Sequence, residues 1–416
     1  MLKSLESLFE RVAVSDSLQA IRKKAFDRFL ELGLPEKGHG AFQYVPLKSL
    51  YEENFSSSEQ AVFSKEEIEG MIYPESKDSY LVFINGFFES SLSNISAIPK
   101  QVVVLPLGES MRSYGTFLQN RWSKTLDKDT DPFAVLNLAL HQRGTFIYVP
   151  PKVIVESPIQ CLFLSTAKDQ LSHPRLQLFV SSQSDVKFIA STSGEGFSNG
   201  VIDVALEDGA RFSYVDVAGL GCKETKGKSF LFLNVTLKRN SYLSALTLYP
   251  RRDLTRNSFQ VTLSGENAEA IVQGGWRLKE KEEMHVHVLM KHEAPFCRSM
   301  QKFKGVLQDF SQSSFEGKIF VTENAQKTEA YQLNNNLILG DYAVANSKPN
   351  LEIFADDVKA SHGATVAQLD REELFYLKSR GISDDIAKNL LVQSFTGEIL
   401  AQVPYASIVQ QERALC

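Results

Sequence analysis

From about Thr145 to Leu339, apolar and polar residues alternate in short runs: LQLFV, VKFIAS, VIDVAL, RFSYVDV, FLFLNVTL, SFQVTL, EAIVQGGW, MHVHVLM and KIFVTE. A period of two in Val, Ile, Phe, Tyr and Thr marks β-strands, because successive side chains leave opposite faces. Turn-forming triplets separate the runs at Gln183-Ser184-Asp185, Glu207-Asp208-Gly209, Arg239-Asn240-Ser241 and Gly265-Glu266-Asn267. Their intervals are irregular, mostly roughly 25 to 30 residues, which suits one coil of a β-solenoid. A hairpin sandwich would turn every ~8 to 12 residues. No strict sequence repeat accompanies the spacing, so on pattern alone a sandwich stays open.

The flanks differ. SLQAIRKKAFDRFLELG reads as a helix capped by Asp16 or Ser17, with Leu18, Ile21, Ala25 and Phe29 on one face and Gly33 and Pro35 ending it. The segment Gly38 to Pro106 is mixed or irregular, and FAVLNLALHQ, Phe133 to Gln142, is a second helix. At the other end, Asp370 and Glu373 form a capping-box pair opening REELFYLKSRG, which Gly381 ends. Ser383, Asp384 and Asp385 then start a helix that places Ile386, Leu390, Leu391 and Phe395 on one face, and Ala406 to Leu415 forms a third.

A chain of 416 residues is too long for one ordinary core. Its 43% apolar and 23% charged residues are those of a globular protein. A net charge of -5 makes no electrostatic case for nucleic acid or an anionic membrane as partner. The N-terminus lacks the apolar core of a signal peptide, and no apolar run is long enough to span a bilayer, so a cytoplasmic location is expected. Cys161, Cys222, Cys297 and Cys416 are scattered and form no C-x-x-C pair, which argues against a disulfide framework or structural zinc.

Few residues suggest chemistry. GCKETKGKS, Gly221 to Ser229, has Cys222 where a phosphate loop needs Gly, and it lies between strand-like runs. EMHVHVLMKHE puts His285 and His287 on one strand face, a usable metal pair. It lacks a third ligand unless His292 or a neighbouring coil supplies one, so a polar strand face is the favoured reading. Asn334, Asn335 and Asn336 suit an amide ladder on a solenoid turn. DDVKASHGAT carries a lone His362 just ahead of Gly363 and no local partner set. A neutral imidazole there could hold a transition metal or move protons; hydrogen bonding at a strand end is the plainer reading. No catalytic triad, zinc-protease motif or dinucleotide fingerprint is present, so the chain reads as a scaffold and not an enzyme.

KPNLEIFADDVKASHGATVAQLDREELFYLKSRGI, Lys348 to Ile382, resembles the SufD branch of the SufB/SufD family of the SUF iron–sulfur cluster assembly machinery. QKTEAYQLNNNLILG and HQRGTFIYVPPKVIVESPIQ resemble the core both branches share, and LPEKGHGAFQYVPLKSL resembles the SufD head with departures. The likeness covers most of the chain and is densest from about His292 to Phe395. SHGAT, the short N-terminal region and the lack of SufB's cysteine-bearing segments favour the SufD branch.

The resemblance implies a mainly β fold, a right-handed parallel β-helix core with helical domains at both ends. The boundaries expected are 1–145, 146–365 and 366–416. It implies a SufBCD complex in which this subunit pairs with SufB through the β-helices and docks the SufC ATPase on its tail. Iron or a nascent cluster shared with SufB is the expected cargo. Reduced flavin is linked to the assembled complex, and ATP enters only through SufC. The family histidine maps onto His362, a ligand for iron or the nascent cluster at the SufB interface. Two residues earlier the family often has cysteine; Ala360 stands here. The SufC-facing candidates are Leu374, Phe375, Tyr376, Arg380, Leu390, Leu391 and Phe395. The alternative is a purely structural subunit that positions SufB and SufC without touching metal; a homodimer in isolation is a further assembly to test.

Overall fold

The structure is a computed structural model that describes all residues except 1, 13–17, 37–39, 54, 58–60, 129, 221–225, 249–251 and 415–416. The proposed caps Asp16 and Ser17, most of the GCKETKGKS stretch, and Cys222 and Cys416 lie outside the described residues.

The alternating runs form strands that alternate between two sheets. One sheet runs through Arg175–Val180, Phe197–Leu206, Lys228–Leu237, Leu254–Leu263, Glu283–His292 and Gln312–Val321 to Val344–Ile353. The other runs through Ile159–Ser165, Asp185–Gly194, Arg211–Ala218, Tyr242–Leu248, Glu269–Leu278, Arg298–Leu307 and Glu329–Ile338 to Lys359–Ala367. Each strand pairs in parallel with the strand one coil away, as between Gln332 and His362. This is a parallel β-solenoid, and it excludes the sandwich left open by the sequence pattern.

The turns explain the irregular spacing. Gln183, Gly209, Asn240, Asn267, Phe296 and Lys327 all have positive φ and stack along one corner. Each donates its N–H to a carbonyl of the next turn, from Gln183 to Asp208 (3.0 Å) down to Lys327 to Asp357 (2.6 Å). The corner hydrogen-bonds from coil to coil as the strands do, so its backbone groups are satisfied at any coil length. Inside, Val, Leu, Ile and Phe from both sheets fill the space, including Phe188, Phe212, Val235 and Val261.

The N-terminal region packs on the outer face of the first sheet. Helix Gln19–Leu32 buries Ile21, Ala25 and Phe29 against helix Pro132–Leu140, as the periodicity predicts. Two features were not legible in that region. Leu107–Lys128 is a helix of 22 residues, and strands Tyr80–Ile84 and Val103–Pro106 extend the two solenoid sheets. The 1–145 segment thus contributes strands to the solenoid as well as helices.

Three helices end the chain: Arg371–Ser379, Asp384–Leu400 and Ala406–Ala414. Asp370 caps the first by accepting from the N–H groups of Glu372 (2.7 Å) and Glu373 (3.2 Å). The second lies against strands Glu269–Leu278 and Arg298–Leu307. It buries Ala387, Val392, Thr396, Ile399 and Leu400, and leaves Ile386 and Leu390 exposed. The single apolar face expected for this helix is therefore split between two sides. No helix among the described residues is long and apolar enough to cross a membrane.

The open end of the solenoid as candidate functional site

Among the described residues, nothing caps the last coil of the solenoid. Val344–Ile353 and Lys359–Ala367 are the terminal strands of their sheets, each with one edge unpaired among the described residues. An unpaired edge presents a row of N–H and C=O groups that can template a further strand. Pro349 sits in one of these strands, where a missing N–H is tolerated because the strand is an edge. The chain then leaves for the flank, where helix Asp384–Leu400 binds.

His362 lies on the last strand. Its register partners fix its face: Ala330, Gln332, Asn334 and Asn336 of the preceding strand are buried, and they align with Ala360, His362, Ala364 and Val366. In-register parallel neighbours share a face. His362 therefore stands on the interior face and is exposed because no coil covers it. Ala360 packs against the core beside it. Among the described residues His362 has no hydrogen-bond or ionic partner, and no group of three His, Cys, Asp or Glu is placed to hold a metal. The rim is charged: Lys359 and Arg298 both contact Glu329, at 3.3 and 3.4 Å.

Beneath His362 runs a column of amides. Gln332 donates Nε2 to Gln301 Oε1 at 2.9 Å. Asn336 donates to Asn334 Oδ1 at 2.8 Å, and Asn334 reaches the Phe303 carbonyl at 3.5 Å. The asparagine ladder expected on a turn thus lies inside a strand, and only Asn334 and Asn336 belong to it. Asn335 faces the other way and accepts from Thr365 at 3.1 Å. The alternation through AYQLNNN places Gln332 on the same face as the two asparagines, in register with His362.

The three histidines of EMHVHVLMKHE each have a partner. His285 and His287 do share the outer face of their strand. His285 is held by Ser314 (2.8 Å) and Glu283 (3.0 Å), so both ring nitrogens are engaged. His287 meets Ser258 at 3.2 Å, and burial, with Arg256 and Lys348 nearby, lowers its pKa to about 3. His292 points into the interior and meets Ser299 at 2.8 Å, so the third ligand proposed for the pair is on the wrong face. Lys228 and Ser229 open a strand, and no helix follows to make a phosphate loop. Cys161 and Cys297 are buried free thiols, and burial pushes the pKa of Cys297 up to about 11.

The tail divides the expected partner-facing residues. Phe375 (72%), Tyr376 (56%) and Leu390 (44%) are exposed, and Arg380 stacks over Tyr376 at 5.2 Å. Leu374 and Leu391 are half-buried. Phe395 faces the solenoid, with Lys304 Nζ 4.6 Å from its ring centre. Glu398 clamps the same helix through Lys304 (2.7 Å) and Lys302, and these two lysines lower its pKa to about 2.

The chain is a two-sheet parallel solenoid with helical flanks, free terminal strands and, at its mouth, a histidine without a partner among the described residues. Two family models cover nearly the whole chain: the SUF system FeS cluster assembly SufBD core domain matches residues 163–395, and the SufBD N-terminal region matches 5–161. The chain belongs to the SufB/SufD family of SUF-system iron–sulfur cluster assembly proteins and is SufD-like. It is 25% identical to iron–sulfur cluster assembly protein SufD of Escherichia coli, over 99% of this chain and 94% of that protein. It is 29% identical to an iron–sulfur cluster assembly SufBD family protein of Synechocystis, over 98% and 93%. A protein of Arabidopsis thaliana named as chloroplastic is 26% identical over 99% and 89%.

Proposed function

We propose that the chain is the SufD-type scaffold of a SufBCD complex, and that His362 supplies one ligand to iron or a nascent cluster whose remaining ligands come from SufB. The observation that carries this reading is the position of His362: inward-facing, uncovered and partnerless at the open mouth. Imidazole suits borderline Fe(II), and softer thiolate and sulfide ligands from the partner would complete the site. The free edges of Val344–Ile353 and Lys359–Ala367 suit pairing with SufB, since strand addition satisfies their backbone groups. Residues 1–145, 146–365 and 366–416 would be head, core and SufC-docking tail, placed in the cytoplasm.

No catalytic step is assigned to this chain. Nucleotide-driven movement of SufC would reach the mouth through the tail, and it does work only if ATP favours the open arrangement. The corner groove of about 520 Å³ and the cleft of about 610 Å³ beneath the tail helices lack an aromatic pair to sandwich a flavin ring, so no step is routed through flavin.

The test is His362→Ala in the reconstituted complex. Assembly measured by size should be unchanged, and iron or cluster loading should fall at least tenfold. Wild-type loading would instead favour the second reading, a subunit that positions SufB and SufC without touching metal.

A further inference from the structure

We propose that Gln332 is the positioning residue of His362: its Oε1 accepts the imidazole N–H and leaves the other ring nitrogen free to bind metal at the mouth. This rests on the reading of His362 given above.

In the amide orientation shown, the Gln332–Gln301 pair leaves one buried donor unpaired on the inner residue, Gln301 Nε2, and one buried acceptor unpaired on the outer one, Gln332 Oε1. Gln332 spends Nε2 on Gln301 Oε1, one coil further in. Its own Oε1 is buried and has no hydrogen-bond partner. A buried acceptor left unpaired is costly, because water cannot replace the missing donor. The coil on the other side of Gln332 carries His362 at the same register and on the same face. Strands in a sheet stand about 4.8 Å apart, so a rotamer change of an exposed ring brings its N–H to that oxygen. The acceptor without a donor and the imidazole without a partner are thus neighbours on one ladder.

The interior is shaped for this amide. Gly317 on the facing sheet is where a Cβ would stand 1.6 Å from Gln332 Nε2. Gln332 is nearly fully buried, at 3% exposure. Any larger residue at Gly317 would push the amide off the column. A hydrocarbon at 332 would fill the same space without a polar group, so packing alone does not call for glutamine.

The chemistry follows from the ring. Neutral imidazole has one N–H and one lone pair, and the group that accepts the N–H decides which nitrogen keeps the lone pair. Metal-binding histidines are commonly oriented this way by a second residue. Gln332 would do so from within the solenoid, before SufB arrives.

The experiment reads the tautomer of His362 in the full chain, by nitrogen NMR of histidine-labelled protein at a pH where imidazole is neutral. The seven histidines are resolved by assigning His362 with His362→Gln. The wild type should show one tautomer. Gln332→Met removes the acceptor at equal length and should give a mixture, whereas Gln332→Glu keeps an acceptor and should restore one form. If Gln332→Met does not fold, Gln332→Asn shortens the reach by one methylene and should also give the mixture. A mixture in the wild type, or a single unchanged tautomer in the Met or Asn variant, overturns the assignment. Metal is absent from this measurement. Loss of the iron-ligand reading would therefore leave the tautomer result standing, and the reverse also holds.

Discussion

Arg256 shows how a single side chain can organise a region without any local sign. It is almost fully buried on the outer face of the first sheet and donates to Asp131 Oδ2 at 2.7 Å. Its guanidinium lies 4.0 Å from the ring centre of Phe42 and 5.1 Å from that of Phe232. Asp131 in turn caps helix Pro132–Leu140 by accepting from Phe133 N–H at 3.0 Å. Burial raises the pKa of Asp131, and Arg256 opposes that shift. Removing one member of a buried pair strands the other charge, so Arg256→Met should cost about 3–5 kcal/mol in urea unfolding. Arg256→Met with Asp131→Asn should recover part of the loss; a single variant as stable as wild type would show that the pair contributes nothing. Nothing in DLTRNSF announces this role, because the partners come from residues 42, 131 and 232. At His362 the local sequence showed only that no ligand set surrounds it; its place at the open end of the solenoid depends on the register with Gln332.

At the scale of elements, periodicity was legible wherever one partner decides it. The strand alternation and the corner residues Gln183, Gly209, Asn240 and Asn267 all lie where turn chemistry places them. Helix Asp384–Leu400 was misphased because two surfaces compete for it. Its small and aliphatic residues Ala387, Val392 and Ile399 meet the sheet, which leaves Ile386 and Leu390 outside. Helix Leu107–Lys128 escaped notice although Leu118, Trp122 and Leu126 recur every four residues and are buried. If the outward residues form the proposed SufC surface, Phe375→Asp with Leu390→Asp should weaken SufC binding at least a hundredfold, a loss of about 2.7 kcal/mol. The midpoint of unfolding of the isolated chain should barely move, because both side chains are exposed. Binding at wild-type strength, measured by calorimetry, would place SufC elsewhere.

At the scale of the molecule, the two ends of the chain meet. Ser407 donates N–H and Oγ to the Glu75 carboxylate, at 3.1 and 2.5 Å, and Gln411 reaches Tyr73 Oη at 2.9 Å. A contact across 332 residues of sequence cannot be read from local pattern. The same enclosure buries several titrating groups, and these set how the fold responds to acid. Burial lowers the pKa of His173 to about 3, of His287 to about 3 and of His292 to about 4, and that of His141 falls well below its usual value. Unfolded histidines titrate near 6.5, so the unfolded chain binds more protons between about pH 6.5 and 4, and stability must fall as pH falls through that window. Asp216 runs the other way. Burial raises it to about 6, so its protonated form favours the folded state and it adds stability as pH drops below 6. Asp131 and Glu282 are raised by burial in the same direction, so four histidines against these three carboxyls leave a net uptake of about one to three protons on unfolding near pH 5, or roughly 1–4 kcal/mol per pH unit. Urea titrations from pH 7 to pH 5 should show stability falling along a slope that steepens toward pH 5, and His292→Gln, which keeps a partner for Ser299, should reduce the slope near pH 5 by about one proton. A flat profile would mean that these imidazoles are hydrated in the folded chain, and that the interior is more open to water than its packing implies.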